Sequence, residues 1–140
     1  MMRAAATAIA DVHPRPLLIA VTVLTSLDNA ALASVGQQGS SSAQVGRLAA
    51  LAQASGLDGV VCSAHEIAAV RKVCGPDFLI VVPGIRPAGS AVGDQRRVMT
   101  PAEALAAGAD VLVIGRPITA AADPAKAAQS IAQELVKTIV

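Results

Sequence analysis

The sequence predicts an α/β protein of about four βα units with parallel strands. Three observations lead there. Short runs rich in Val, Ile and Leu alternate with Ala-rich stretches of helical periodicity. The composition is 54% hydrophobic with a single aromatic residue, Phe78, so the core has to be assembled from Ala, Val, Leu and Ile. Strands that alternate with helices pair in parallel through right-handed crossovers.

The first strand is expected over Leu17–Leu24, a β-branched run too apolar to alternate, which predicts burial on both faces. Asp28 opens a short helix that ends near Gly36, and a Gly/Ser-rich loop follows from Gln37 to Ser42. Ala43–Ser55 reads as a helix with Val45, Leu48, Leu51 and Ala52 on one stripe, stopped by Gly56. Gly59–Cys62 is the second strand. Ser63 and Glu66 have the spacing of a capping box and start a helix that runs to about Cys74. After the turn Gly75-Pro76-Asp77, Phe78–Val82 forms the third strand. A long loop from Pro83 to Met99 follows, then a second capping box at Thr100 and Glu103 with Pro101 at the first helical position. That helix ends at Gly108. Val111–Ile114 is the fourth strand, and Asp123-Pro124 starts the last helix, which reaches about Val136. Four such units fit either a small doubly wound sheet or half of an eight-stranded barrel. The pattern alone leaves both open.

Net charge is +1 and the pI about 7.8, so there is no bulk basic field for nucleic acid or an anionic membrane, and any anion site must be local. The longest strand-like run is far short of a membrane span. Met1–Ala10 lacks the leucine-rich segment of a secretory signal, and the expectation is a cytoplasmic protein. Cys62 and Cys74, with no CxxC and no His at ligand spacing, read as ordinary reduced thiols.

The third and fourth strands both run into glycine and arginine, as Gly84-Ile85-Arg86 and Gly115-Arg116. Ligands of parallel α/β folds sit at the C-terminal ends of strands. Glycine there lets backbone N–H groups approach an anion, and arginine offers a fork that matches phosphate. Taken singly, each pair also fits a turn glycine beside a solvated arginine. Together, at two matching strand ends, they predict a phosphate cradle. Gln95, in the glycine-bearing loop 88–97, is placed to reach the phosphate from a closing loop, although the same composition suits a plain surface loop. Thr25, just beyond the first strand, offers a hydroxyl at the mouth or a helix cap. His13 and His65 suggest no catalytic role. Lys72, Lys126 and Lys137 fall on predicted helices, and Asp58 and Asp110 precede strands, at the wrong end of the sheet. No acid/base set emerges.

Five segments are similar to the bacterial orotidine 5′-phosphate decarboxylase family. They are Leu18–Ser26, Gly56–Ser63, Pro83–Ser90, Gly93–Pro101 and Val113–Thr119, in the family's order and spacing. The resemblance implies the half-barrel: residues 1–140 as strands five to eight of a (β/α)₈ barrel of ribulose-phosphate-binding type, with the N-terminal half missing. It implies that Arg86, Arg116 and the backbone at Gly115 hold a 5′-phosphate, that Gln95 bridges phosphate and pyrimidine, and that Thr25 contacts the base or its catalytic neighbours. It implies decarboxylation of orotidine 5′-phosphate to UMP in pyrimidine synthesis, dimers with active sites at the subunit interface, and no metal or organic cofactor. The family's catalytic Asp/Lys network centres on D-x-K-x-x-D, and no such motif occurs in this sequence. Met1-Met2-Arg3 resembles the start of the helix after strand four, so the chain is expected to begin mid-barrel and the isolated chain to turn over little substrate. It would then pair as a homodimer of half-barrels or with a separate N-terminal half. The rival readings are a non-catalytic UMP- or phosphate-binding half-barrel and another phosphate-binding barrel lyase or synthase.

Overall fold

A computed structural model describes residues 1–87 and 99–139. Four strands, β1 (Ile19–Val21), β2 (Gly59–Val61), β3 (Leu79–Val82) and β4 (Val111–Leu112), form one sheet in the order β1-β2-β3-β4, with every pairing parallel. The order never reverses. A doubly wound sheet needs a reversal to place helices on both faces. Repeated right-handed crossovers in one direction put every helix on the same face. The sheet is therefore singly wound, as a segment of a barrel is.

Side-chain burial divides along the same line. Successive residues of a strand point to opposite faces. Val60, Cys62, Ile80 and Val82 are fully buried in the core beneath the helices. Of the opposite set, Ile19 is 40% exposed, Val21 60%, Val111 45% and Val113 48%. The expectation that the first strand is buried on both faces is corrected here: β1 is a short edge strand covered on one face only. Its apolar run matches a strand meant for two covered faces, and among the described residues the second cover is absent.

The helices are α1 (Met2–Ala8), α2 (Asn29–Ser34), α3 (Ser41–Ala54), α4 (Ile67–Cys74), α5 (Pro101–Ala106), α6 (Arg116–Thr119) and α7 (Pro124–Ile139). Asp28 caps α2 by accepting from Ala31 N at 2.9 Å, and Ser40 caps α3 by accepting from Ala43 N at 3.2 Å. That second cap starts α3 earlier than the apolar stripe suggested. The stripe also shifts: Val45, Ala49 and Ala52 are buried, whereas Leu51 is 51% exposed. Alanines at the contact let α3 lie close against α4 and β2. Ile67, Val70 and Cys74 give α4 its buried stripe. α7 packs on α5 and α6 and buries Ile131. At Gly59, a Cβ would run into the carbonyl oxygen and Cβ of Leu79, so the start of β2 admits no side chain.

Asp58 and Asp110 lie at the N-terminal ends of the strands, as expected, and they do the same job twice. Asp58 Oδ2 accepts from Leu18 N at 2.7 Å, and Asp110 Oδ2 accepts from Ile80 N at 2.7 Å. Each carboxylate extends the parallel ladder by one rung where no backbone carbonyl is available. Each is held by an arginine. Arg15 Nη1 donates to both oxygens of Asp58 at 2.9 and 3.1 Å, and Arg71 Nη2 donates to Asp110 at 2.6 Å. Arg71 also donates to the carbonyls of Pro76 (2.8 Å), Phe78 (2.6 Å) and Gly108 (2.8 Å), which fastens the turn before β3 to the turn before β4.

Two consequences can be measured. Arg71→Ala removes the guanidinium from the carbonyls of Pro76, Phe78 and Gly108 and from Asp110, which keeps its bond from Ile80 N, and should lower the unfolding free energy in urea by about 2 kcal/mol. The hydrogen bond from Arg15, then that from Leu18 N–H, holds the Asp58 carboxyl below the usual carboxylate value. Its contribution is complete above the unfolded-state value of about 3.9 and is lost as pH falls through the lower folded value. Acid titration of stability should therefore be flatter below pH ~4 in Asp58→Asn than in the parent.

Candidate functional site

The parallel register brings four strand exits to one end of the sheet. Val21, Val61, Val81 and Val111 are aligned across it, and the ladder continues through Thr22 N to Val61 O (3.1 Å), Cys62 N to Val81 O (3.1 Å) and Val113 N to Val82 O (2.9 Å). Whatever follows each strand is thus delivered to a common rim, the end at which parallel α/β folds bind ligands.

Thr25 follows β1 and is 9% exposed. The turn that holds it closes through Leu27 N to Leu24 O at 3.0 Å, and Asp28, not Thr25, caps the helix beyond. The Thr22 hydroxyl ties the same exit to β2 by donating to Val61 O at 2.7 Å.

The exit of β2 carries two buried polar residues that sequence reasoning assigned to a helix cap. Ser63 is fully buried and Glu66 is 2% exposed. The expected capping box is not the arrangement found: Ser63 Oγ accepts from His65 N at 3.3 Å, and residues Ala64–Glu66 form a short 3₁₀ turn before α4. A Ser-x-x-Glu cap normally sits in solvent, so the spacing alone carried no sign of burial. His65 is exposed.

Beyond β3 the chain turns at Gly84, whose φ of +77° favours glycine. Ile85 is fully buried and Arg86 only 8% exposed, with Arg86 Nη1 donating to Ile85 O at 2.8 Å. Arg86 N donates to Met99 O at 3.0 Å, and Ile85 bridges to Met99 in parallel. Residues 87 and 99, the two stumps of the loop, are thereby held together. Gln95, Arg96 and Arg97 lie outside the described residues.

Beyond β4, Gly115 begins α6 and its carbonyl accepts from Ile118 N (2.8 Å) and Thr119 N (3.0 Å). Sequence reading did not assign this single helical turn. Pro117 sits in its first turn, where a missing N–H costs nothing. A Cβ at Gly115 would meet nothing within 4 Å, so the space it leaves open faces outward. Arg116 is exposed, unlike Arg86. The rim therefore carries one buried and one exposed guanidinium on neighbouring strands, with Thr25 and Ser63 on the other two. Lys72 lies on α4, and Lys126 and Lys137 lie on α7, as expected. Among the described residues no three His, Cys, Asp or Glu side chains come together to hold a metal. Cys62 and Cys74 are free and buried.

Comparison with known proteins adds a second line. The model of the orotidine 5′-phosphate decarboxylase / HUMPS family matches residues 1–131. The orotidine 5′-phosphate decarboxylase of Moorella thermoacetica is 59% identical over 141 aligned positions, which cover 96% of this chain and 56% of that protein. That of Paramagnetospirillum magneticum is also 59% identical, over 96% of this chain and 60% of its own length. Among solved structures, the Lactobacillus acidophilus orotidine 5′-phosphate decarboxylase superposes with a TM-score of 0.79 at 37% identity, covering 96% of this chain and 58% of that one. The chain spans somewhat more than half the length of the relatives it matches.

The return of the loop to the rim rests on a reciprocal cap: Glu103 N donates to Thr100 Oγ1 at 3.3 Å, and Thr100 N donates to Glu103 Oε2 at 2.9 Å. Thr100→Ala should cost about 1 kcal/mol in urea unfolding, and Thr100→Ser much less.

Proposed function

The chain belongs to the orotidine 5′-phosphate decarboxylase / HUMPS family, and on that premise we propose that it is the phosphate-holding half of a decarboxylase barrel. The reaction is the conversion of orotidine 5′-phosphate to UMP and CO₂, in which the bond from C6 to the carboxylate breaks and C6 takes up a proton. In this reading residues 1–140 are strands five to eight of the barrel. Arg86 and Arg116 grip the 5′-phosphate with the backbone N–H at Gly115, Gln95 bridges phosphate and pyrimidine, and Thr25 faces the base.

The supporting observation is the placement of Arg86 and Arg116 at the C-terminal ends of two neighbouring parallel strands. Phosphate held there is remote from C6. It contributes binding energy, while the charge that develops at C6 must be met by other groups. Among the described residues no lysine lies at the rim. Asp58 and Asp110 are at the opposite end and engaged by Arg15 and Arg71, and the lysines lie on helices. The Asp/Lys network then belongs to strands outside residues 1–140 that cover the open face of the sheet. Ile19, Val21, Val111 and Val113 supply the apolar side of that junction. So does a groove of about 510 Å³ between α1 and the β1 edge, lined by Met2, Ala5, Leu18 and Leu57. The same lack of a lysine at the rim among the described residues favours the second reading, a non-catalytic UMP-binding half-barrel.

Calorimetric titration with UMP, paired with an orotidine 5′-phosphate turnover assay, tests both. Expected are UMP binding by the parent chain, a loss of about tenfold or more in Arg116→Ala and in Arg86→Lys, and little turnover. No binding at millimolar UMP would remove the phosphate assignment. Brisk turnover by the monomeric chain would remove the division of the barrel into a gripping and a reacting half.

A further inference from the structure

Among the described residues only two charged side chains are buried: Glu66, 2% exposed, and Arg86, 8% exposed. They carry opposite charge. Both follow the C-terminal ends of strands that pair directly and in register, Glu66 after β2 and Arg86 after β3. Each is flanked by a fully buried isoleucine of the same core cluster, Ile67 beside Glu66 and Ile85 beside Arg86.

A guanidinium does not shed its proton in a protein, so Arg86 is a permanent cation in a water-poor place. The Ile85 carbonyl, which accepts from Arg86 Nη1 at 2.8 Å, is a dipole and supplies no net charge. Removing a cation from water costs several kcal/mol unless an anion compensates it. Among the described residues the one buried side chain of the right sign, Glu66, follows the neighbouring strand.

We propose that Glu66 is a positioning residue: its carboxylate is the resident counter-charge of Arg86 and fixes the direction in which that guanidinium meets an incoming phosphate. The positioning role rests on the phosphate assignment above; the charge pairing does not. A side chain as long as arginine loses much rotamer freedom on ordering. A buried carboxylate that orders it beforehand leaves less to be lost when the ligand arrives. Arg116, by contrast, is exposed on α6.

The test separates the two parts. Thermal melts of the parent chain, Arg86→Met, Glu66→Gln and the double variant read the pairing without any ligand. Arg86→Met should lower the midpoint by roughly 10 °C, since it strands a buried carboxylate, and the double variant should regain much of that loss. Midpoint shifts that simply add would overturn the pairing. Titration of Glu66→Gln with UMP and with uridine reads the positioning. UMP affinity should fall about tenfold while uridine affinity holds. An unchanged UMP affinity, or an equal loss for both ligands, would overturn it. Should the parent chain bind no UMP at all, the phosphate assignment fails, and the melts still decide whether Glu66 and Arg86 are a pair.

Discussion

The in-register parallel ladder is the constraint from which the other features follow. Three short pairings align Val21, Val61, Val81 and Val111. A slip of one residue on any strand would turn its buried set toward the open face and its open set into the helices. It would also move one strand exit along the rim by about 3.3 Å, more than a hydrogen bond tolerates. The register thus fixes the core and the relative heights of Thr25, Ser63, Arg86 and Arg116 in one step. The close approach of Gly59 to Leu79 is part of how it is held, because any side chain at that position would force the two strands apart.

The two ends of the sheet use arginine in opposite ways. At the N-terminal end, Arg15 and Arg71 are engaged by carboxylates and carbonyls that belong to the fold, and their job is to close gaps in the ladder. At the C-terminal end, Arg86 and Arg116 follow glycines at strand exits. An acid immediately before a strand and a glycine-arginine step just after one are both readable in a sequence. Their functional meaning comes from which end of a parallel sheet they occupy.

Much of the fold was legible for that reason. The alternation of apolar runs and alanine-rich stretches located all four strands, and Asp28, Thr100 and Asp123 marked helix starts through cap chemistry that depends on neighbouring residues only. What was not legible depended on partners distant in the chain. The apolar run around β1 gave no sign that its second face would stand open, because hydrophobicity reports what a strand was suited to contact and not what is there to contact it. Leu51 took a place on the predicted stripe that alanines occupy, since close packing of α3 on α4 rewards small side chains over large ones. Arg86, Arg116, Gly115 and Thr25 were singled out through their strand-end positions, and they do lie at that end of the sheet. The burial of Ser63 and Glu66 was not legible, because a buried Ser-x-x-Glu and a solvated cap are written with the same letters.

The open face of the sheet has a practical corollary. Ile19, Val21, Val111 and Val113 keep β-branched surface in water in the fully folded chain. Dyes that brighten on apolar contact, commonly taken as a mark of loosened tertiary packing, would light up on native material here. For this protein such fluorescence gauges how well the sheet is covered, and it should dim, with no change in helix content, when a second set of strands closes over it.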